Sequence, residues 1–453
     1  MTFARFLCVA LLLALVTSTG VATADEARGP RLSPDALDLL PFDNFERQDF
    51  YKAHGSLVYR MNAIRKQVGK LHKQRAAIQA KKGKRSPGDA QKLASLQKEI
   101  RRVSPQVAAL MGRITEEVRG TGVDGALIAY MNHAPRGPRR VQRYSQGLVL
   151  LLDDLTPAQR WLFDRTLTQM DGAYHANGAQ RERTMLALKQ SELDKDKMRA
   201  IGQTFDRQLR VMEQRFWLLV DVTLDVEQKV WIWEHLPQTM RRKSQAIEHL
   251  YTLPGLSGSQ GTRLRALVTE IEHESSPDNA AVRRINAAMK ANDKKLPAAE
   301  RKKLLAERGE AYGRLNELNR FRRDEVKRIL TEDQWLAYVA IPPYLSTNER
   351  SGSYRRTLEG WKPNGRQQAK IRELQKAQRE ASREARNKMN LARRAGTDFG
   401  ADSPEMMSMQ MAMNGAKADQ AQAARDLLGG IFLDVMTVDE VGRWVLGHWG
   451  YKR

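Results

Sequence analysis

The sequence lacks long apolar runs. The longest, Phe6 to Val16, is shorter than the ~20 residues that a membrane-spanning helix needs. It follows Arg5 and precedes a small-residue site that ends at Ala24, which is the order of a cleavable signal peptide. We therefore expect residues 1–24 to be a signal peptide cleaved near Ala24. We also expect a periplasmic or exported location and no transmembrane segment in the mature chain.

The sequence also lacks thiols. Cys8 is the single cysteine, and it lies within the expected signal peptide. A mature chain without this segment can form no intramolecular disulfide, and it has no thiol nucleophile and no thiolate metal ligand. Cysteine-based catalysis and zinc–thiolate sites are therefore excluded.

Local metal-site and enzyme motifs are missing as well. No two of the eight histidines stand three or four residues apart, the spacing at which a helix presents a pair of metal ligands. The sequence has no glycine-rich phosphate loop, nucleophile elbow or HExxH motif. We therefore expect a protein that is not an enzyme and that uses no cofactor.

Acidic residues are scarce relative to basic ones. The chain has 76 Lys and Arg against 53 Asp and Glu, a formal net charge of +23. Such a charge raises the local concentration of anions, although solubility alone is an alternative reason for it. Because export would separate the chain from nucleic acid, the expected partners are unfolded or acidic polypeptides, or anionic components of the cell envelope. The sequence also allows a homo-oligomer.

Strand-like patterns are absent, and helix patterns are abundant. No stretch alternates apolar and polar residues for long, whereas Ala, Leu, Lys, Arg, Glu and Gln are common. Apolar residues recur at alternating four- and three-residue spacings from Leu57 to Ile78, where only Arg75 misses the register, and again from Leu93 to Ile114. This spacing indicates two helices that pack along one stripe. We predict an all-α fold of long antiparallel helical hairpins and irregularly repeated helical units.

Clusters of glycine, proline and serine divide the chain. The predicted segments are the signal peptide 1–24, an N-terminal helical hairpin at 25–120, and helical units at 145–253, 262–341 and 366–453. Residues 119–144 contain four glycines and two prolines, so we expect a linker or an exposed loop there. Pro105 should kink the second helix of the hairpin or start a new one.

A short motif occurs four times: Leu or Met, then Thr or Asp, then Gln or Glu three residues later. Its residues are Leu155, Thr156 and Gln159; Leu224, Asp225 and Gln228; Leu330, Thr331 and Gln334; and Met436, Thr437 and Glu440. The last three copies are 106 residues apart, but the first interval is 69 residues. We infer an irregular duplication of a helical unit.

Each copy has the pattern of a capping box, which marks the start of a helix. The Thr or Asp side chain accepts a hydrogen bond from the amide three residues later, and the Gln or Glu side chain accepts one from the cap's own N–H. A tryptophan follows each copy closely, and we expect its indole to be buried against a neighbouring helix. These tryptophans are Trp161, Trp231, Trp335 and Trp444.

The motif resembles the LTxxQ signature of the Spy/CpxP family of periplasmic proteins. The copies that begin at Leu155 and Leu330 match it fully, whereas the second has Asp225 for Thr and the fourth has Met436 and Glu440 for Leu and Gln. Members of that family are small, exported, basic and all-helical, and their paired hairpins hold unfolded clients without ATP. The resemblance implies a chaperone-like or envelope-stress function for this longer chain.

Two further clusters are candidate binding sites. Five methionines lie between Met406 and Met413, and a helix would place Met406, Met409 and Met413 on one face. Thioether sulfurs suit Cu(I), so the segment is a candidate copper site. The alternative is that the methionines serve adaptable packing or form an apolar surface for a client. The other cluster is expected to bind anionic partners, and it consists of Arg136, Arg139, Arg140 and Arg143.

The features taken together favour a non-enzymatic exported helical binding protein, with a Spy/CpxP-like chaperone or envelope-stress component as the specific form. A structural cell-envelope protein that binds an anionic surface or polymer is the first alternative. A metal sensor or carrier that uses the methionines is the second.

Overall fold

The protein is described here by a computed structural model. The described residues are 31–42, 44–80, 87–134, 139–190, 195–244, 247–253, 255–291, 296–346, 350, 354–395 and 404–447. These ranges contain helices and turns but no strand, so the predicted all-α fold is confirmed. None of their helices is both long enough and apolar enough to cross a membrane. The expected signal peptide lies outside them.

The chain divides into two compact units, one formed by residues 1–38 and 48–135 and the other by residues 39–47 and 136–453. Helices α1 (Asn44–Gln79) and α2 (Pro87–Gly120) dominate the first unit.

The two long helices of the first unit lie antiparallel. Near the start of α1, the His54 Nε2 lies 3.6 Å from the Glu117 Oε2 near the end of α2. The apolar stripe predicted from the sequence is the face on which the two helices bury their side chains. Its buried members are Met61, Leu71, Ile100, Val103, Leu110 and Ile114. Helix α2 continues through Pro105, so no new helix starts there.

Helix α3 (Gly125–His133) also belongs to the first unit. The Leu127 N–H donates a 2.6 Å hydrogen bond to the Asp124 side chain, which caps the start of this helix. Helix α4 (Arg140–Gly147) begins the helical part of the second unit soon afterwards. The interpretation of residues 119–144 as a linker or exposed loop is therefore wrong for both helices. Their buried side chains, among them Ile128 and Tyr144, outweigh the local glycines and prolines.

The second unit contains a series of longer and shorter helices. They are α4, α5 (Pro157–Gln190), α6 (Lys195–Thr223), α7 (Val226–His235), α8 (Gln238–Ser244), α9 (Gly258–Ala291), α10 (Ala298–Ile329), α11 (Glu332–Val339), α12 (Tyr354–Thr357), α13 (Gly365–Ala395), α14 (Pro404–Gly430) and α15 (Val438–Leu446). A π-helical turn, Ile431–Val435, extends α14.

Three helical hairpins organise the second unit. Hairpin A is α5 with α6, hairpin B is α9 with α10, and hairpin C is α13 with α14. A short helix follows each hairpin after a sharp turn, and these helices are α7, α11 and α15 in chain order.

The hairpins pack on one another instead of standing alone. Helix α14 of hairpin C contacts both α9 of hairpin B and α6 of hairpin A. Of the short helices, α7 packs on α11, and α15 packs on both arms of hairpin A. The centre of this packing is aromatic: Phe432 and Trp444 are each 1% exposed, and their ring centroids lie 4.7 Å apart.

Helices α14 and α6 approach each other closely at Gly429 in α14. A Cβ atom added to Gly429 would lie 2.1 Å from the backbone oxygen of Val222 in α6. The obstacle is a backbone atom, which cannot move aside as the end of a side chain can. Glycine is therefore required for this crossing of hairpins A and C.

We expect Gly429→Ala to lower the free energy of unfolding. The overlap should cost ~1–3 kcal/mol, and it should exceed the helix-propensity gain of ~1 kcal/mol that alanine brings. The control is Gly415→Ala in the same helix, where an added Cβ meets nothing within 4 Å. This control should stabilise the protein slightly. Chemical denaturation of both variants measures the difference, and equal effects would refute the close crossing.

Candidate functional site

The four motif copies each start a helix with two reciprocal hydrogen bonds. In the first copy, the Gln159 N–H donates to the Thr156 Oγ1 at 3.2 Å, and the Thr156 N–H donates to the Gln159 Oε1 at 2.8 Å. The copies at Asp225, Thr331 and Thr437 have the same pair of bonds. Every copy thus has the geometry of a capping box.

Two further capping boxes are present that the sequence search missed. Ser257 pairs with Gln260 at the start of α9, and Asn364 pairs with Gln367 at the start of α13. They were missed because the motif required Thr or Asp at the cap and Leu or Met before it, whereas Pro363 precedes Asn364. Since Ser and Asn are equally good caps, a search that admits them with Gln three residues later would find both.

The six boxes are joined in three pairs, one at the base of each hairpin. In hairpin A the Gln159 Nε2 donates a 2.7 Å hydrogen bond to the backbone oxygen of Thr223, the last residue of the returning arm α6. In the opposite direction the Gln228 Nε2 donates to the backbone oxygen of Asp154, before the outgoing arm, at 3.5 Å. We call such a reciprocal pair of boxes a clasp, and this one clasp A.

Clasp B has the same geometry and an additional bond. The Gln260 Nε2 donates to the Ile329 oxygen at 2.9 Å, and the Gln334 Nε2 donates to the Gly255 oxygen at 2.9 Å. The two side chains also meet directly, because the Gln260 Nε2 lies 2.8 Å from the Gln334 Oε1. Each amide donates to the carbonyl two residues before the partner's cap, so the clasp has approximate two-fold symmetry.

Glutamine suits this role because one amide carries both an acceptor and a donor. Its oxygen accepts the cap N–H at the start of one helix, while its nitrogen donates to a carbonyl at the other end of the clasp. Helix ends leave such groups without intrahelical partners. Four of these side chains, Gln159, Gln228, Gln334 and Gln367, are buried, so their bonds are shielded from water.

Clasp C departs from the pattern because Glu440 has no amide nitrogen to donate. Its carboxylate instead accepts hydrogen bonds from the Gln367 Nε2 at 2.9 Å and from the Trp361 Nε1 at 3.2 Å. Gln367 also donates to the Val435 oxygen at 3.2 Å, as its counterparts do in the other clasps. The acid is thus accommodated by a second donor, the indole of Trp361.

The clasps explain the irregular spacing of the motif. The two cap residues of a clasp are separated by 69 residues in hairpin A, 74 in hairpin B and 73 in hairpin C. The repeated unit is therefore a hairpin with one box at each end. The first two copies seen in the sequence belong to one hairpin, whereas the later copies each have a partner at Ser257 or Asn364.

The tryptophans that follow the motif do not share one environment. Trp444 is 1% exposed, as expected, but Trp161 is 54% exposed, so the expected burial is wrong for it. Leu162 and Phe163 occupy the buried face of α5 in its place. Two are half-buried: Trp231 and Trp335.

The arginine cluster lies largely inside the second unit. Arg136 is outside the described residues. The Arg139 guanidinium lies 3.2 Å from the Oε2 of Glu213, a carboxylate that is fully buried, and 3.5 Å from the Asp206 Oδ1.

The other two arginines of the cluster are also largely shielded. Arg143 pairs with Asp171 and is only 10% exposed, and Arg140 is half-buried. These arginines compensate charges within the fold, so binding of an external anion by Arg139 or Arg143 would compete with their internal partners.

A second buried cluster of charges surrounds Asp221. The Arg350 Nε donates to its carboxylate at 3.1 Å, and the Lys229 Nζ lies 3.7 Å away. Burial raises the pKa of Asp221, but the cations Arg350, Lys229 and Arg425 outweigh this effect and hold it below its usual value. Burial and the charge of Arg350 lower the pKa of Arg425 to about 10. The cavity beside Lys229 measures about 10 Å³ and has room for a water molecule but not for a substrate.

The methionine segment forms the first turns of α14. Met406, Met409 and Met413 are half-buried there, while the side chains of Met407 and Met411 lie outside the described residues. Among the described residues, no group of three or more His, Cys, Asp and Glu side chains is placed to hold a metal ion. The copper site remains a prediction from the sequence.

The exposed arms of the hairpins combine basic and apolar side chains. In α1, Tyr59 is 78% exposed, with the exposed Lys66 and Lys70 seven and eleven residues further along the same face. In α10, Leu305 and Tyr312 are 39% and 46% exposed and also stand seven residues apart. These surfaces can offer apolar contact and positive charge to the same ligand.

No protein family, curated protein or solved structure matches this chain in comparisons of its sequence and structure. The resemblance to the Spy/CpxP family therefore depends on the LTxxQ-like motifs alone.

We expect the stability contributed by Glu440 to depend on pH. Partial burial acts to raise the pKa of Glu440, but hydrogen bonds from the Thr437 N–H, from Trp361 and from Gln367 outweigh it and hold the pKa below its usual value. A carboxyl group with a lowered pKa in the folded state stabilises the fold above its unfolded pKa of ~4.3, and this contribution is lost as the pH falls through the folded pKa.

Denaturation of the wild type and of Glu440→Gln at pH 7, 5 and 3 tests this expectation, because the variant cannot ionise there. The stability advantage of the wild type should shrink as the pH falls. A difference that stays constant from pH 7 to pH 3 would contradict the bonding assigned to clasp C.

Proposed function

We propose that the protein is a non-enzymatic helical binding protein of the cell envelope, similar to the Spy/CpxP chaperones, that holds unfolded or acidic polypeptides without ATP. The observation that carries the proposal is the pairing of exposed apolar side chains with exposed cations on the hairpin arms. In α10, for example, the exposed Leu305 lies one turn from the exposed Arg301 and Lys302. The LTxxQ-like motifs and the expected signal peptide support it.

The clasps separate the scaffold from the binding surface. Their glutamines bond with backbone groups of the same hairpin and are largely buried, so they have little capacity left for a client. The arms extend from these hairpin bases as helices of 27 to 34 residues, and each arm has exposed side chains. A client would therefore contact the arms, where positive charge gives rapid attachment and apolar side chains give short-lived contacts.

A structural envelope protein that binds an anionic surface or polymer is the second candidate. The observation that favours it is the composition of α13, which has ten Lys and Arg and three Glu. Such a helix would bind a polyanion through charge alone, and this binding would weaken steeply as added salt screens it.

Suppression of client aggregation tests the proposal. The full mature chain should reduce the light scattering of an acidic protein diluted out of denaturant, at equimolar amounts and without ATP. The double variant Leu305→Ser with Tyr312→Ser should retain its fold, because exposed substitutions usually change stability by within about 0.5 kcal/mol. It should suppress aggregation less well, since two apolar contacts are lost.

The matched control is Ala306→Ser with Asn319→Ser, two exposed positions of the same helix that carry no large apolar side chain. It should act like the wild type. If the wild type does not suppress aggregation but binds anionic vesicles in a salt-dependent way, the chaperone proposal is wrong and the structural alternative is favoured.

A further inference from the structure

A cleft of about 330 Å³ opens at the base of hairpin C, next to clasp C. The residues that define its chemistry are Arg355, Leu358, Trp361, Ile371, Arg372 and Gln375. Ligand pockets begin at roughly 300 Å³, so this cleft has the size for one bulky side chain or a small molecule.

The cleft has an apolar floor and a basic rim. Leu358 and Ile371 are only 5% and 7% exposed, so they form a fixed apolar surface. Trp361 is held in place because its Nε1 donates to the Glu440 Oε1 at 3.2 Å, which leaves the indole ring to line the cleft. Arg355 and Arg372 are exposed at its edge. A ligand that fits has an apolar group beside negative charge.

A line of cations leads away from the cleft along α13. Arg372, Lys376, Arg379 and Arg383 recur at intervals of four, three and four residues, which places them on one face of the helix. All of them are exposed, and none forms a hydrogen bond or an ion pair with a described residue. We call these four residues the basic stripe.

The glutamates of α13 lie within one helical turn of the stripe, but none forms an ion pair with its four described cations. Glu373, Glu380 and Glu384 recur at intervals of seven and four residues and so occupy a face of their own, about a quarter-turn away from the stripe. From Arg372 to Arg383 the stripe is ~16 Å long, at 1.5 Å per residue. An extended peptide covers this length with about five residues.

We infer that the cleft and the basic stripe form one binding site for an acidic polypeptide segment, with a bulky apolar residue in the cleft and the following carboxylates along α13. This inference rests on the proposed function and gives it a defined site. It requires that Arg372, which belongs to both the cleft and the stripe, joins the apolar anchor to the line of charges.

A polypeptide fits this site better than a membrane surface does. Helices that lie on membranes present a continuous apolar face with large side chains. The described part of α13 exposes a single large apolar side chain, Leu391, and it lies beyond the stripe. The apolar component of the site is instead a concave cleft, which accepts a projecting side chain.

Fluorescence polarisation of labelled peptides tests the site on the full mature chain. One probe has a tryptophan followed by five glutamates, and the second has glycine in place of the tryptophan. We expect the tryptophan peptide to bind at least about tenfold more tightly, because burial of a large apolar side chain contributes that much. Equal affinities would overturn the role of the cleft.

The cleft is located by Gln368→Trp, a substitution at an exposed lining residue. The new indole should fill the cleft and reduce the affinity for the tryptophan peptide to that for the glycine peptide, with an unchanged melting temperature. If the tryptophan peptide keeps its advantage on this variant, its anchor binds elsewhere and the assignment is wrong.

The stripe is tested by charge reversal of three cations, with an equal change of charge on another helix as the control. The test variant is Arg372→Glu, Lys376→Glu and Arg379→Glu. The control is Lys92→Glu, Lys98→Glu and Arg102→Glu in α2, whose described residues expose no large apolar side chain. Both variants change the net charge equally. The test variant should weaken binding by about tenfold or more and the control by less than about twofold.

The outcomes distinguish failure of the site from failure of the proposed function. If the two charge variants lose affinity equally while aggregation is still suppressed, the binding is diffuse and this site is wrong. If neither peptide binds and aggregation is not suppressed, both proposals fail. Vesicles of anionic lipid serve as a third probe, and binding of vesicles in preference to the tryptophan peptide would overturn the assignment to a polypeptide.

Discussion

The second unit depends on glutamine side chains that link two helix ends at the base of each hairpin by hydrogen bonds. Each such amide accepts the N–H at a helix start and donates to a carbonyl across the hairpin base, as Gln159 does toward Thr223. Both backbone groups would otherwise be left without partners next to a buried turn. An amide buried without partners costs ~1–3 kcal/mol, so the clasp strongly favours one register of the two arms.

The clasps also position the helices that hold the hairpins together. Each second box is the start of the short helix that follows its hairpin, so closing the clasp sets the direction of α7, α11 and α15. Those helices make part of the contacts between hairpins, with α7 on α11 and α15 on hairpin A, and α14 makes the rest with α9 and α6. Once the bases are fixed in this way, the outer faces of the arms are free to vary. They can then carry the exposed cations and aromatics that the proposed function needs.

The sequence predicts the helices and their starts but not their partners. The heptad spacing from Leu57 to Ile78 predicts a packed stripe, and the motif predicts a capping box, because both are local patterns. The pairing of Gln260 with Gln334 joins residues far apart in the chain, and no local pattern encodes it. The internal role of Arg139 is hidden for the same reason, since its partner Glu213 lies 74 residues away. The close crossing at Gly429 likewise depends on a backbone atom of another helix.

If the two boxes of a clasp act as one unit, a double-mutant cycle on clasp B will measure the coupling between them. The free energies of unfolding are measured for the wild type, Gln260→Ala, Gln334→Ala and the double variant. We expect the double variant to lose less stability than the two single variants together, with a coupling energy of about 1 kcal/mol or more. Losses that add to within ~0.3 kcal/mol would show two independent helix caps and would contradict the clasp.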